Sequence, residues 1–282
     1  MRILVTNDDG IDSVGLHVLA NAVKHFGDVT VVAPLFECSG AGASIGTLTG
    51  NYPVVHRHDV PALDGLDCWS VSGPPALCVM YAQLGAFGKP FDLIVSGINP
   101  GQNVGWSVYH SGTIGAALTG RNRGASGLAV SLGFNGKELE GQTWPEIVSG
   151  MKWDTAAAIA VEVLEGFFEE PPVKPVVMNL NVPNGPLDAV EGWDVGVVGS
   201  EPPRRLTKGT LVEGDTDEHG QIYHLEMDWG SGRTLIDGTD GWLVANKKAS
   251  LSWLGDLTND TPNGPHHDAI AARLTTLLHQ GV

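Results

Sequence analysis

Through residues 3–183, short continuous apolar runs alternate with segments of helical spacing, and that alternation leaves few folds open. Residues 3–6, 28–33, 91–95, 128–132 and 176–182 are runs rich in Val, Ile and Leu, most of them ending in turn formers or proline. Each reads as a buried strand. Between them, Leu16, Leu19, Val23 and Phe26 recur at helical spacing over 14–26. Pro74 and Pro75 open a helix over 75–84, Ser111-Gly112-Thr113 opens a short one rich in Gly and Ala, and Asp154 caps a helix reaching Phe168. The third strand is expected to break at Ser96-Gly97, and 133–150, polar and without period, to be a loop. Strands that are apolar on both sides belong in a parallel sheet with helices on both faces.

Beyond Asn184 the pattern changes. Gly, Trp, Asp and Val interleave through Gly199, and 221–229 alternates as an exposed strand does. The expectation is antiparallel hairpins projecting from the core, then a closing helix over 268–278 that buries Ile270, Leu274, Leu277 and Leu278. The 282 residues are read as one domain: a core of about 1–183, a hairpin and oligomerisation region of about 184–260, and the closing helix at about 268–280.

The charge balance narrows the possible partners. Lys and Arg number 16 against 32 Asp and Glu, a formal charge of −16, and no basic stripe is present to meet nucleic acid or an anionic membrane. An anionic substrate would need local positive charge from a metal ion or a helix start. Cys38, Cys68 and Cys78 show no CxxC spacing, which suits a reducing compartment. Met1 leads straight into a strand and no window holds 18 uninterrupted apolar residues, so neither a signal peptide nor a membrane span is expected. A cytoplasmic enzyme is the expectation.

In an open parallel sheet, ligands gather beyond the carboxyl ends of the strands. Three polar clusters fall there: Asn7-Asp8-Asp9-Gly10, Cys38-Ser39-Gly40 and Ser96-Gly97-Ile98-Asn99. Adjacent carboxylates repel unless a cation lies between them, and carboxylate, hydroxyl and amide oxygens are hard ligands suited to Mg²⁺, Mn²⁺ or Ca²⁺. A second element, Tyr109-His110-Ser111-Gly112-Thr113, starts a helix whose free N–H groups and dipole attract phosphate. His110 is a candidate proton donor to a leaving group, against a structural role beside the cap. A covalent nucleophile role for Ser39 is disfavoured, because no histidine is near it in sequence.

These residues also carry a resemblance. RILVTNDDGI, VVAP followed by SGAGAS, DLIVSGINPGQNVG running to YHSGTIGAAL, then GLAVSL, VVMNLNVP and GTD…DLT together resemble the SurE family of stationary-phase survival phosphatases. The resemblance implies a Rossmann-like three-layer α/β core, a mostly parallel sheet and extended C-terminal β-hairpins. It implies hydrolysis of nucleoside 5′- or 3′-monophosphates, extending to other phosphomonoesters or polyphosphate, in a homodimer or homotetramer. It assigns one divalent ion per subunit, Mg²⁺ or Mn²⁺, to Asp8, Asp9, Ser39 and Asn99. It assigns phosphate to Gly40, Asn103, Ser111, Gly112 and Thr113, with Asp8 and Asp9 as catalytic groups. The chain departs from the family pattern at 35–38, at Leu77, at Trp106-Ser107 and at Thr119, which bears on substrate preference. A non-catalytic, metal-dependent nucleotide sensor is the alternative, and a dinucleotide-binding enzyme is disfavoured because 40–46 lacks G-x-G-x-x-G spacing.

Overall fold

The structure is a computed structural model. It describes residues 1–46, 52–134, 143–200, 206–230 and 234–256, with 269, 270 and 273 beyond them. The chain opens with β1 (Arg2–Thr6) and α1 (Val14–Val23). Ser13 starts α1 by accepting the Leu16 N–H at 3.3 Å. The helical spacing through Phe26 is cut short, because Lys24–Phe26 tightens into a 3₁₀ turn before Gly27. Then follow β2 (Asp28–Pro34), β3 (Val55–His58), β4 (Asp67–Val71), α2 (Pro75–Gln83), β5 (Leu93–Pro100) and a 3₁₀ turn at Gly105–Tyr109. Next come α3 (Gly112–Arg121), β6 (Ser126–Gly133), α4 (Trp144–Gly150), α5 (Trp153–Glu169) and β7 (Val177–Pro183). The described chain closes with β8 (Trp193–Val195), β9 (Leu206–Asp217), β10 (Gly220–Trp229), α6 (Asp240–Ala245) and β11 (Ala249–Trp253).

Among the described residues, nine strands form one sheet in the order β3-β4-β2-β1-β5-β6-β7-β11-β8. The run from β4 to β7 is parallel, while β3 pairs antiparallel with β4 and β11 antiparallel with β7. Side-chain alternation sorts the two faces. Ile3 and Val5 pack with Leu16 and Leu19 of α1 and with Ala156 and Leu164 of α5. Leu4 points the other way, into a cluster with Leu77 and Val79 of α2, while Ile114 and Ala117 of α3 cover Ala129 and Val177. Each such Leu, Ile or Val contributes about 1.5–3 kcal/mol on burial, so the core enforces strand register without help from the loops. The chain builds outward from β1 to β2 and β4 on one side, then to β5, β6 and β7 on the other. The reversal opens a crevice at the carboxyl ends of β1 and β5.

Several expectations are corrected. β5 does not break at Ser96-Gly97 but continues to Pro100. Ser96 faces Ala129 and Asn99 faces Ser131, so three steps on β5 match two on β6, a bulge that re-aims Asn99. The stretch read as a loop over 133–150 contains α4, whose capping box joins Thr143 to Glu146. Asp154 lies in the first turn of α5, which begins at Trp153. β3 and β4 have no counterpart in the sequence reading. After Asn184, β9 and β10 form the expected antiparallel hairpin, whereas β8 and β11 extend the main sheet. Ile270 is exposed rather than buried; Leu274, Leu277 and Leu278 lie outside the described residues, as do His266 and His267.

Candidate active site

The turn after β1 is built from the inside. Asn7 is fully buried and its amide donates to the Gly10 carbonyl at 3.0 Å, which closes the turn and presents Asp8 and Asp9 at the crevice. The Asp8 carbonyl accepts the Cys38 N–H at 2.7 Å, binding the loop after β2 to this turn. That loop is bound in turn to the start of α3, because Gly42 N–H donates to the His110 carbonyl at 3.0 Å. Three segments distant in sequence thus share one corner.

Asp8 is 3% exposed, and the Thr113 hydroxyl donates to its Oδ1 at 2.7 Å. Burial is the main influence on its carboxyl and raises its pKa above the usual range; the Thr113 hydroxyl and backbone N–H oppose that rise, and the Glu37 charge adds to it. Asp9 is pushed up to about 8, first by burial and then by the charges of Asp8 and Glu37. Its Oδ2 is buried without a hydrogen-bond partner. A side chain at Gly112 would place its Cβ 2.8 Å from both Cβ and Oδ2 of Asp8, so only glycine lets α3 begin this close to the carboxylate. Two carboxylates, one with an orphaned oxygen, lie together without a neutralising side chain among the interactions that set their ionisation. That is an environment short of positive charge.

The remaining candidates are distributed around this corner. Asn99 is partly buried at the end of β5 and donates its amide N–H to the Gly101 carbonyl at 2.5 Å, which leaves the lone pairs of Oδ1 uncommitted. Ser39 and Gly40 are exposed on the loop after β2, where the Ser39 N–H donates to Glu37 at 2.6 Å. Ser111 is the buried N-cap of α3, and its Oγ accepts the Ile114 N–H at 3.1 Å, a bond that does not use its own hydroxyl proton. The Thr113 hydroxyl donates to Asp8, because a buried carboxylate requires a donor. The anion already resting at the start of α3 is therefore Asp8. Asn103 is buried, its side chain donating to Ser131 at 3.0 Å. His110 is exposed at the end of the 3₁₀ turn.

Glu37 is a participant that sequence reasoning passed over except as a departure from a pattern. Its position one residue before Cys38 was the available signal. Asn179 and Asn181, fully buried in β7, were also missed; two asparagines alternating within an apolar strand mark one polar face. Among the described residues no group of three or more His, Cys, Asp or Glu could hold a metal ion. The oxygen set here is two carboxylates with a hydroxyl and an amide.

Fold and site together define a Rossmann-like α/β protein with an acidic, oxygen-lined corner at the switch point of its sheet. The chain belongs to the SurE family: the model of the family described as "Survival protein SurE" matches residues 3–204. A Dehalococcoides mccartyi protein named 5′-nucleotidase SurE is 39% identical over 258 residues, 90% of this chain and 88% of its own length. An Alkalilimnicola ehrlichii protein of the same name is 34% identical, covering 93% of this chain and 92% of the relative. A Wigglesworthia glossinidia brevipalpis protein named 5′/3′-nucleotidase SurE is 34% identical, covering 92% and 94%. The crystal structure of the SurE protein from Aquifex aeolicus superposes with a TM-score of 0.68 at 28% identity, over 99% of this chain and all of that one.

Proposed function

We propose that this chain is a metal-dependent phosphomonoesterase that hydrolyses nucleoside 5′- or 3′-monophosphates to nucleoside and phosphate. Family membership and the names of its relatives support the nucleotidase activity. The observation that carries the metal is the orphaned, buried Asp9 Oδ2 beside the buried carboxyl of Asp8. Both carboxyls are raised, and a divalent cation relieves both at once. Asp8, Asp9, Ser39 and Asn99 would hold one Mg²⁺ or Mn²⁺ ion per subunit, all through hard oxygen atoms. When bound, such an ion supplies charge neutralisation at a phosphoryl oxygen and lowers the pKa of water.

The chain's own groups do the rest. Thr113 holds Asp8 by its hydroxyl, and Gly112 gives the carboxylate room. The Ser111 hydroxyl, with Gly40 and Asn103, orients the phosphate at the rim of α3. Asp9, through its other carboxylate oxygen, takes the proton of the attacking water as the new P–O bond forms. The ester P–O bond breaks and the ribose oxygen leaves as a hydroxyl, taking its proton from His110, which is exposed directly before α3. The activity extends to other phosphomonoesters and short polyphosphate.

The amphipathic β9–β10 arm, with Leu211, Tyr223, Leu225 and Met227 exposed, supports a homodimer or homotetramer. The three cysteines are free, which supports a cytoplasmic setting. No helix among the described residues is long and apolar enough to cross a membrane. Phosphate release from a panel of nucleoside monophosphates, with and without Mn²⁺ or Mg²⁺, tests the activity. Release only with metal is expected; tight nucleotide binding without release would make the protein a sensor instead.

A further inference from the structure

We propose that Asp240, acting with Asn179 and Asn181, is a positioning residue for the 103–105 substrate loop, an inference that rests on the nucleotidase reading. Asp240 is the first residue of α6, about 135 positions from that loop, and is fully buried. A buried carboxylate costs several kcal/mol unless it is well hydrogen-bonded, and apolar replacements at such positions are often neutral for stability. A fully buried carboxylate must be hydrogen-bonded, and its partners name a task.

The Gly105 N–H donates to Asp240 Oδ2 at 2.9 Å. The Gly199 and Gly241 N–H groups donate to Oδ1 at 3.0 and 2.8 Å. Bonds from neutral amides to a carboxylate are roughly twice as strong as those between neutral groups. Two residues before Gly105, the loop is held again. The Asn103 N–H donates to Asn181 Oδ1 at 2.7 Å, and the Asn103 carbonyl accepts from Asn179 and Asn181 Nδ2 at 3.0 and 3.2 Å. Val104 between them is buried. The backbone at 103–105 is therefore gripped at both ends by three fully buried side chains from β7 and α6. The 3₁₀ turn that starts at Gly105 runs directly into Ser111 and α3. Whatever fixes Gly105 also fixes where Asn103 and Ser111 meet a phosphate. Asp240 thereby links this loop to Gly199, the segment that enters the β9–β10 arm.

The test compares the full-length protein with Asp240→Asn, which keeps the volume but replaces one acceptor by a donor. Asp240→Asn is expected to raise KM for AMP and the Kd of inorganic phosphate by about tenfold, the loss of one hydrogen bond to a charged group. kcat should fall by less than about threefold and Mn²⁺ affinity stay unchanged, since the carboxylate acts on the loop and not on the reacting atoms. A lowered melting temperature with unchanged KM and phosphate affinity would make Asp240 purely structural and overturn the proposal. Asn181→Ala, which removes the acceptor of the Asn103 N–H, must give the same signature; normal KM there overturns it equally. Should Asp240→Asn not fold, amide exchange in the unaltered protein decides: Gly105 protected like the sheet supports the clamp, and exchange as fast as an open loop removes it. If the unaltered protein binds phosphate but releases none from AMP, the nucleotidase reading fails, and phosphate calorimetry on the variants still judges the clamp. If it binds no phosphate, both fail.

Discussion

Asp8 and Asp9 are adjacent in sequence yet differently supported. Asp8 has a donor in Thr113, whereas Asp9 has a buried oxygen with none. Asp8→Asn is expected to cut metal-dependent kcat by about 10³-fold or more, several kcal/mol of charge stabilisation, with an unchanged circular dichroism spectrum. Full activity in that variant with metal present would remove Asp8 from the mechanism. Thr113 touches Asp8 through its hydroxyl. Thr113→Val should weaken Mn²⁺ binding by about 10- to 100-fold in calorimetry, the usual effect of losing a residue that orients a ligand. Unchanged affinity would separate Asp8 from the metal. At this scale the place of the aspartates at a strand end was legible, because turn formers directly after an apolar run mark one. The Thr113 contact was not legible, since it joins residues 105 positions apart.

Elements set these side chains by close approach. Helix α3 reaches the loop after β2 at Gly115, where an added Cβ would lie 2.1 Å from the Gly42 carbonyl oxygen and 2.7 Å from the Ala43 nitrogen. Neither contact is with a side chain that can turn away. Gly115→Ala should therefore push the Ser39 loop off α3, costing about 1–3 kcal/mol of stability and weakening metal binding together. Thermal melting and Mn²⁺ calorimetry on one preparation check both; a stability loss with normal metal affinity would show that the loop does not carry a ligand. The helices and parallel strands were readable from apolar period alone. α4 was passed over because its seven residues bury nothing and so display no apolar face. β3 was passed over because an exposed edge strand reading Val-His-Arg-His carries no hydrophobic alternation.

For the whole molecule, the acidic corner ties stability to protonation. Without a cation, folded Asp9 keeps its proton up to about pH 8, whereas the unfolded chain loses it near the ordinary 3.8. The folded state thus holds a proton that the unfolded state has released. Its stabilising effect is present below the unfolded pKa and declines as pH rises through about 8. Asp8, raised for the same main reason, acts in the same direction. The melting temperature in a chelator should fall from about pH 5 to about pH 9, and Asp9→Asn should flatten that fall. Mn²⁺ at about 100 times its Kd should restore about 2.7 kcal/mol at the alkaline end. A melting temperature indifferent to both pH and metal would mean that the two carboxyls are not coupled to a cation.

The order of apolar runs and turn formers by itself determined a parallel α/β sheet with three polar clusters at its strand ends, because burial on two faces and local turn chemistry are written in neighbouring residues. Family resemblance then implied four oxygen-bearing side chains as ligands for a cation. Only the tertiary structure decided that β8 and β11 return to the main sheet, that a bulge re-aims Asn99, that Thr113 serves Asp8, and that Asp240 reaches back to Gly105. Those contacts join segments far apart along the chain, and their cost and reward are set by how whole layers pack, which no local window of sequence contains.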